Sequence, residues 1–237
     1  MNMMENLHDD KYRKSLIDYL EGRLQPTRLE RIQKSLQGRS KNLKIVLEDI
    51  YDPHNANAVI RSCDAMGVQD INIIENRNKF AINKGVTKGS TKWVDLRRYS
   101  DNADVNTKNC IFDLKKDGFK VYATSLHEKS ISLPLLDPPN KIAVIFGSEK
   151  LGVSREAIDL ADGVLQVPMS GFSESMNISV SAGIIIYHLS QLMSKKYGAK
   201  YFTQGQEKEE IYIKFLLNSV RAKDKLVEIF DNKYFIR

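Results

Sequence analysis

Two spacings of apolar residues alternate along this chain. Residues 10–21 and 27–37 repeat apolar positions every three to four residues, which predicts two short helices split by Gly22 and Pro26. Thr27 and Glu30 have capping-box spacing, and Gly38 supplies a stop. Residues 43–50 (LKIVLEDI) form an apolar run of strand length. A helix is expected over 55–67, with Asn55 near its cap and Gly67 past its end. A strand at 71–75, a helix over 102–117 and a strand at 120–126 follow. After a Pro-rich bend comes the most apolar strand, 141–147 (KIAVIFG). A loop, a helix capped by Ser154 and a last strand at 163–169 lead to a long apolar helix after Asn177. Apolar strands alternating with helices predict an α/β fold: a mainly parallel sheet with helices on both faces.

Two stretches break the pattern. Residues 76–98 are polar, glycine-dotted and without a clear period, and they hold seven basic residues against one acid, Asp95. Such a loop suits a polyanion better than any single lysine does. Residues 170–177 (SGFSESMN) place a series of small polar side chains where a helix start needs one cap, and Glu174 is their only charge.

The net charge of +6 is unevenly spread. Residues 1–42 carry net +3 and residues 195–237 net +4, so residues 43–194 carry −1. The division suggests a helical extension at 1–42 that holds a polyanion, a near-neutral core domain at 43–194 and a second helical extension at 195–237. Ordinary solvated helices explain the same charges. At 237 residues and 42% hydrophobic content, one main domain has ample core. No apolar run approaches the ~20 residues of a membrane span, and the N-terminus lacks an apolar signal core. The expectation is a cytoplasmic protein without membrane partners. Cys63 and Cys110 imply no disulfide, and four scattered histidines imply no metal centre.

Ligands of open parallel sheets sit outside the carboxyl ends of the strands. Those ends carry Thr124, Ser125 and Leu126, then Gly147 and Glu149, then Val167 and the 170–177 stretch. Neither a G-x-G-x-x-G fingerprint nor a Walker A sequence is present. Taken singly, the notable residues have plain explanations. Arg61 could pair with Asp64 on the same helix face, Asn55 could cap its helix, Glu149 could be a surface acid, and Met176 could be core.

Three segments together carry more: DPHNANAVIRSCDAMGV, AVIFGSEKLGVS and VPMSGFSESMNISVSAG. With Asn55 and Arg61, then Gly147, Glu149 and Gly152, then Pro168, Ser175 and Asn177, they resemble the three motifs of the SpoU-type RNA ribose methyltransferases of the SPOUT class. The likeness covers residues 43–190 and looks most like the TrmH branch, which methylates a guanosine (position 18) in the tRNA D-loop. It implies a deep trefoil knot in the C-terminal half of the domain and a homodimer formed through it. It implies S-adenosylmethionine as donor and S-adenosylhomocysteine as product, with no metal and no DNA. Asn55, Arg61, Glu149, Ser175 and Asn177 would then be catalytic, and Thr124, Ser125, Leu126, Gly147, Val167 and Met176 would hold the donor. Arg61, Lys88, Ser90, Thr91, Lys92, Arg31 and Arg39 would meet RNA. The likeness leaves open whether Arg61 removes the 2′-hydroxyl proton or steadies the developing alkoxide, because a guanidinium is an unusual base. A ribosomal RNA ribose methyltransferase and a catalytically silent RNA-binding factor are the alternative readings. The first usually carries a larger N-terminal domain than 42 residues allow.

Overall fold

The computed structural model describes residues 6–81, 84–87, 89–126 and 130–235. They fall into two compact units, Ser40–Phe202 and the two chain ends, Met1–Arg39 with Thr203–Arg237.

The larger unit is built on seven strands: β1 (Leu43–Glu48), β2 (Asp70–Ile74), β3 (Asp95–Tyr99), β4 (Lys120–Thr124), β5 (Ile131–Ser132), β6 (Ile142–Phe146) and β7 (Gly163–Gln166). Their order is β3-β2-β1-β6-β4-β7-β5, and neighbours are parallel throughout. β6 is wholly buried, as a central parallel strand covered on both faces requires. Its register sets Val144 beside Ile45 on one side and Tyr122 on the other.

Side-chain alternation sorts the core into two layers. Ile45, Leu47, Ile71, Val144 and Phe146 pack under α3 (Pro53–Ala65) and α7 (Ile178–Tyr197). Val46, Ile74, Ala143 and Ile145 pack under α5 (Asn106–Lys116) and α6 (Arg155–Leu160). A short α4 (Lys84–Thr87) lies in the basic stretch. Both cysteines are buried, and neither is in a disulfide.

The smaller unit joins α1 (Asp10–Glu21) and α2 (Pro26–Gln37) to α8 (Gly205–Leu217) and α9 (Lys223–Phe235). Tyr12 meets the Phe230 and Tyr234 rings at 5.4 and 5.3 Å, and its hydroxyl donates to Asp231 at 2.6 Å. Arg13, from α1, donates to Glu209 on α8 at 2.7 Å.

The structure differs from the sequence expectations at several places. β3 lies inside the stretch that lacked a period, because an edge strand leaves Arg97 and Arg98 exposed. α2 begins at Pro26 after Gln25, so Thr27 sits in the first turn and no capping box forms. α3 begins at Pro53 with Asp52 as its cap, which releases the Asn55 side chain for other work. Gly67 does end that helix, at φ 77°. Ser154 does cap α6, accepting from Ala157 N–H at 3.1 Å.

On α3, Ile60 is fully buried while Arg61 is exposed. Ile60→Ala should therefore cost about 2–5 kcal/mol of stability. Arg61→Ala should cost less than about 0.5 kcal/mol. Denaturant unfolding followed by circular dichroism measures both.

Candidate active site

A cavity of about 660 Å³ opens outside the carboxyl ends of β4, β6 and β7. Thr124, Ser125, Leu126, Gly147, Val167 and Met176 all line it, as do Glu149, Ser175 and Asn177. Its depth is apolar, with Leu165 and Ile185. Its polar groups include the carboxylates of Glu149 and Glu174 but no lysine, arginine or histidine among the described residues.

The loop at 147–152 is forced to be narrow. Ser148 and Gly152 exchange two backbone hydrogen bonds, at 3.0 and 2.9 Å. A Cβ on Gly147 would lie 2.0 Å from the Gly152 carbonyl carbon, so no other residue fits there unchanged. Gly152 turns at φ 68°, which glycine adopts at little cost.

At the rim, three side chains form one hydrogen-bonded series. Asn55 Nδ2 donates to Glu149 Oε1 at 2.7 Å, and Asn177 Nδ2 donates to Asn55 Oδ1 at 3.1 Å. Asn177 Oδ1 accepts from Ser179 N–H at 2.8 Å and from its hydroxyl at 2.6 Å, capping α7. An ionised carboxylate only accepts, so Glu149 dictates which way both amides face. Tyr51 and Asp52 N–H complete its shell at 3.0 and 3.4 Å. Burial pushes the Glu149 carboxyl upward. Donation from Asn55 and from its own, Tyr51 and Asp52 backbone N–H groups outweighs this and holds it below its ordinary value.

The remaining expected site residues are scattered. Arg61 lies away from the cavity, exposed, and its guanidinium has no described partner. Thr91 is half-buried, while Lys92 and Arg31 are exposed. Two expectations need correction. Arg39 is 2% exposed, with its guanidinium 5.0 Å above the Phe215 ring, and Ser90 is 7% exposed. Neither is open to an RNA phosphate. Lys88 lies outside the described residues. The sequence reading did not single out Gln166 and Met169, which also line the cavity, whereas Glu174 lies in the 170–177 stretch it placed there. The strand-end rule points to Gln166, the last residue of β7. Among the described residues no cluster of three His, Cys, Asp or Glu side chains could hold a metal ion. No helix there is long and apolar enough to cross a membrane.

A crevice at strand ends, a glycine-bounded loop and an Asn–Glu–Asn series define a class. The chain belongs to the SpoU rRNA Methylase family, whose pattern matches residues 42–187. Among its relatives is the tRNA (guanosine(18)-2′-O)-methyltransferase of Borreliella burgdorferi, 39% identical over 191 residues, or 81% of this chain and 85% of that protein. The enzyme of the same name from Thermus thermophilus is 35% identical over 82% of this chain and 96% of its own. The A. aeolicus TrmH/SpoU tRNA modifying enzyme superposes with a TM-score of 0.71 at 30% identity, covering 82% of this chain and 97% of its own.

The depressed Glu149 carboxyl gives a signed expectation. Its contribution is present above the unfolded value, near ~4.3 for glutamate, and is lost as pH falls through the folded value. The stability gap between wild type and Glu149→Gln should be constant at neutral pH and shrink below about pH 4. Urea titrations across that range would contradict it if the gap widened in acid.

Proposed function

We propose that this protein transfers a methyl group from S-adenosylmethionine to the ribose 2′-hydroxyl of guanosine 18 in the tRNA D-loop. The observation that carries the reading is the Asn55–Glu149–Asn177 series at the mouth of a cavity shaped by family motifs. Relatives named for this reaction align over most of their own lengths, which favours tRNA over a ribosomal target.

The cavity suits the donor chemically. S-adenosylmethionine supplies an electrophilic methyl on a positively charged sulfur, and carboxylates without competing cations favour a positive ligand. Leu165, Val167, Met176 and Ile185 offer apolar surface for an adenine ring, while Thr124 and Ser125 offer polar atoms at its edge. During transfer, the ribose 2′-oxygen bonds to the methyl carbon, the sulfur–carbon pair stays on sulfur, and the hydroxyl proton is released. Asn55 and Asn177, oriented by Glu149, hold the target end of the site. Ser175 lines the same cavity, and Arg61 serves the 2′-oxygen by taking its proton or steadying its charge.

A homodimer fits this arrangement. Of the apolar residues on α7, Ile185, Ile186 and Leu189 are core. Val180, Ile184 and Tyr187 instead make an exposed stripe with spacings of four and three, the geometry of a helix face awaiting a partner. Dimerisation through α7 and a trefoil knot at 147–177 would let Arg61 of one subunit complete the other's site. The insertion of β6 between β1 and β4, and of β7 between β4 and β5, supports the knot. Lys92, Arg31 and the net-positive chain ends provide cationic surface for tRNA. A cytoplasmic location follows from that substrate.

Arg61→Ala should lower single-turnover methylation of tRNA by about 10²-fold or more, the scale of one acid–base or electrostatic group. Donor affinity should hardly change, and Arg61→Lys should rescue incompletely because an ammonium lacks the planar fork. A near wild-type rate in Arg61→Ala would remove Arg61 from the mechanism, and labelled donor passing to ribosomal RNA rather than tRNA would reverse the substrate assignment. Sedimentation should show a dimer at micromolar concentration, with Ile184→Glu driving it to monomers. A fully active monomeric wild type would refute the assembly.

A further inference from the structure

Glu48, the last residue of β1, is 2% exposed and belongs to none of the three motifs. A buried carboxylate is costly unless its lone pairs are filled. Here Oε1 accepts from the hydroxyls of Thr107 and Ser154, each at 2.7 Å, and Oε2 accepts from Ser154 N–H at 2.8 Å. Ser154 therefore gives Glu48 both of its donors. Its hydroxyl oxygen also accepts from Ala157 N–H, so the start of α6 is pinned at the same point.

Ser154 is where the loop after β6 ends. That loop runs from Gly147 through Glu149, Gly152 and Val153, all of which line the cavity. Its near end is fixed by β6 in the sheet, and its far end is fixed to β1 through Glu48. A few residues later the same chain segment grips the loop again, where Tyr51 and Asp52 N–H hold Glu149. A shift of Ser154 would be passed along this short closed loop, because Gly147 already abuts Gly152 and leaves no slack.

We propose that Glu48 is a positioning residue for the donor: through Ser154, its carboxylate sets the place of the loop at 147–153 and so the shape of the donor cavity. It touches neither donor nor RNA. The proposal rests on the reading of that cavity as the S-adenosylmethionine site.

The test uses the full chain and S-adenosylhomocysteine, whose binding needs no turnover and is read by calorimetry. Glu48→Gln keeps the shape and an oxygen for Ser154 N–H, but removes the charge and sets a neutral NH₂ against the Thr107 and Ser154 hydroxyls, which must turn to accept. Ser154→Ala removes the hydroxyl from the other side. Each should weaken binding about 10-fold, the order expected for one charge-assisted hydrogen bond. The double variant should be no weaker than Glu48→Gln alone, because both act through one contact. Methylation at saturating donor should return to within a few-fold of wild type, and tRNA affinity should stay unchanged. Thr107→Val is the control. It strips a hydrogen bond from the same carboxylate without touching the loop, so it should lower Tm and leave binding unchanged.

Folded Glu48→Gln that binds as wild type does, with only Tm reduced, would make Glu48 a purely structural acid and overturn the proposal. Equal loss of binding in Thr107→Val would do the same. If Glu48→Gln does not fold, Ser154→Ala decides alone, weaker binding supporting the proposal and unchanged binding overturning it. Wild-type protein that fails to bind S-adenosylhomocysteine would instead overturn the underlying reading of the cavity, and this proposal with it.

Discussion

A carboxylate has no proton to give, and much of the site follows from that constraint at Glu149. Because Glu149 can only accept, Asn55 must turn its NH₂ toward it and its oxygen toward Asn177. Asn177 must then point its own oxygen at the free Ser179 N–H in the first turn of α7. One acid on the β6 loop thus fixes side chains on α3 and α7, 94 and 122 residues apart in their pairings. Reversing either amide would set donor against donor or acceptor against acceptor at two contacts. The small polar run before α7 has its explanation here. Asn177 caps the helix, and Glu174, Ser175 and Met176 before it form cavity wall rather than redundant caps.

The carboxylates at the end of β1 complement this arrangement. Asp49 stands at φ 52°, an uncommon conformation for a residue with a side chain. Its Oδ1 accepts from the N–H groups of Asn76 and Arg77 at 2.7 and 2.8 Å, which offsets the local strain. Glu48 faces α5 and α6, while Asp49 receives the chain leaving β2. Successive acids therefore tie the end of one central strand to two different loops.

Where one face or one period carried the information, the fold was legible. The apolar runs of β1, β2, β4 and β6 and the helical spacing of α1, α3 and α7 are local properties. So were the cavity-lining residues, because strand ends in a parallel sheet converge. β3 was hidden because an edge strand exposes Arg97 and Arg98, and β5 because two residues carry no period. Arg39 and Ser90 were misjudged because residue type suggests a phosphate contact while burial depends on neighbours distant in sequence, such as Phe215 above which Arg39 lies. Glu48 was invisible for the same reason, since its partners lie 59 and 106 residues away.

The smaller unit is written in two instalments, before and after the whole of Ser40–Phe202. The ribosome releases α1 and α2 before that stretch, with Tyr12, Leu16 and Leu20 ready for burial, and α8 and α9 only after it. At roughly 5–20 residues per second, the intervening stretch takes on the order of 10–30 s to synthesise. Throughout that interval the nascent N-terminal helices lack the partners that cover them in the finished chain. Birth order therefore lets the sheet complete itself before the smaller unit can close.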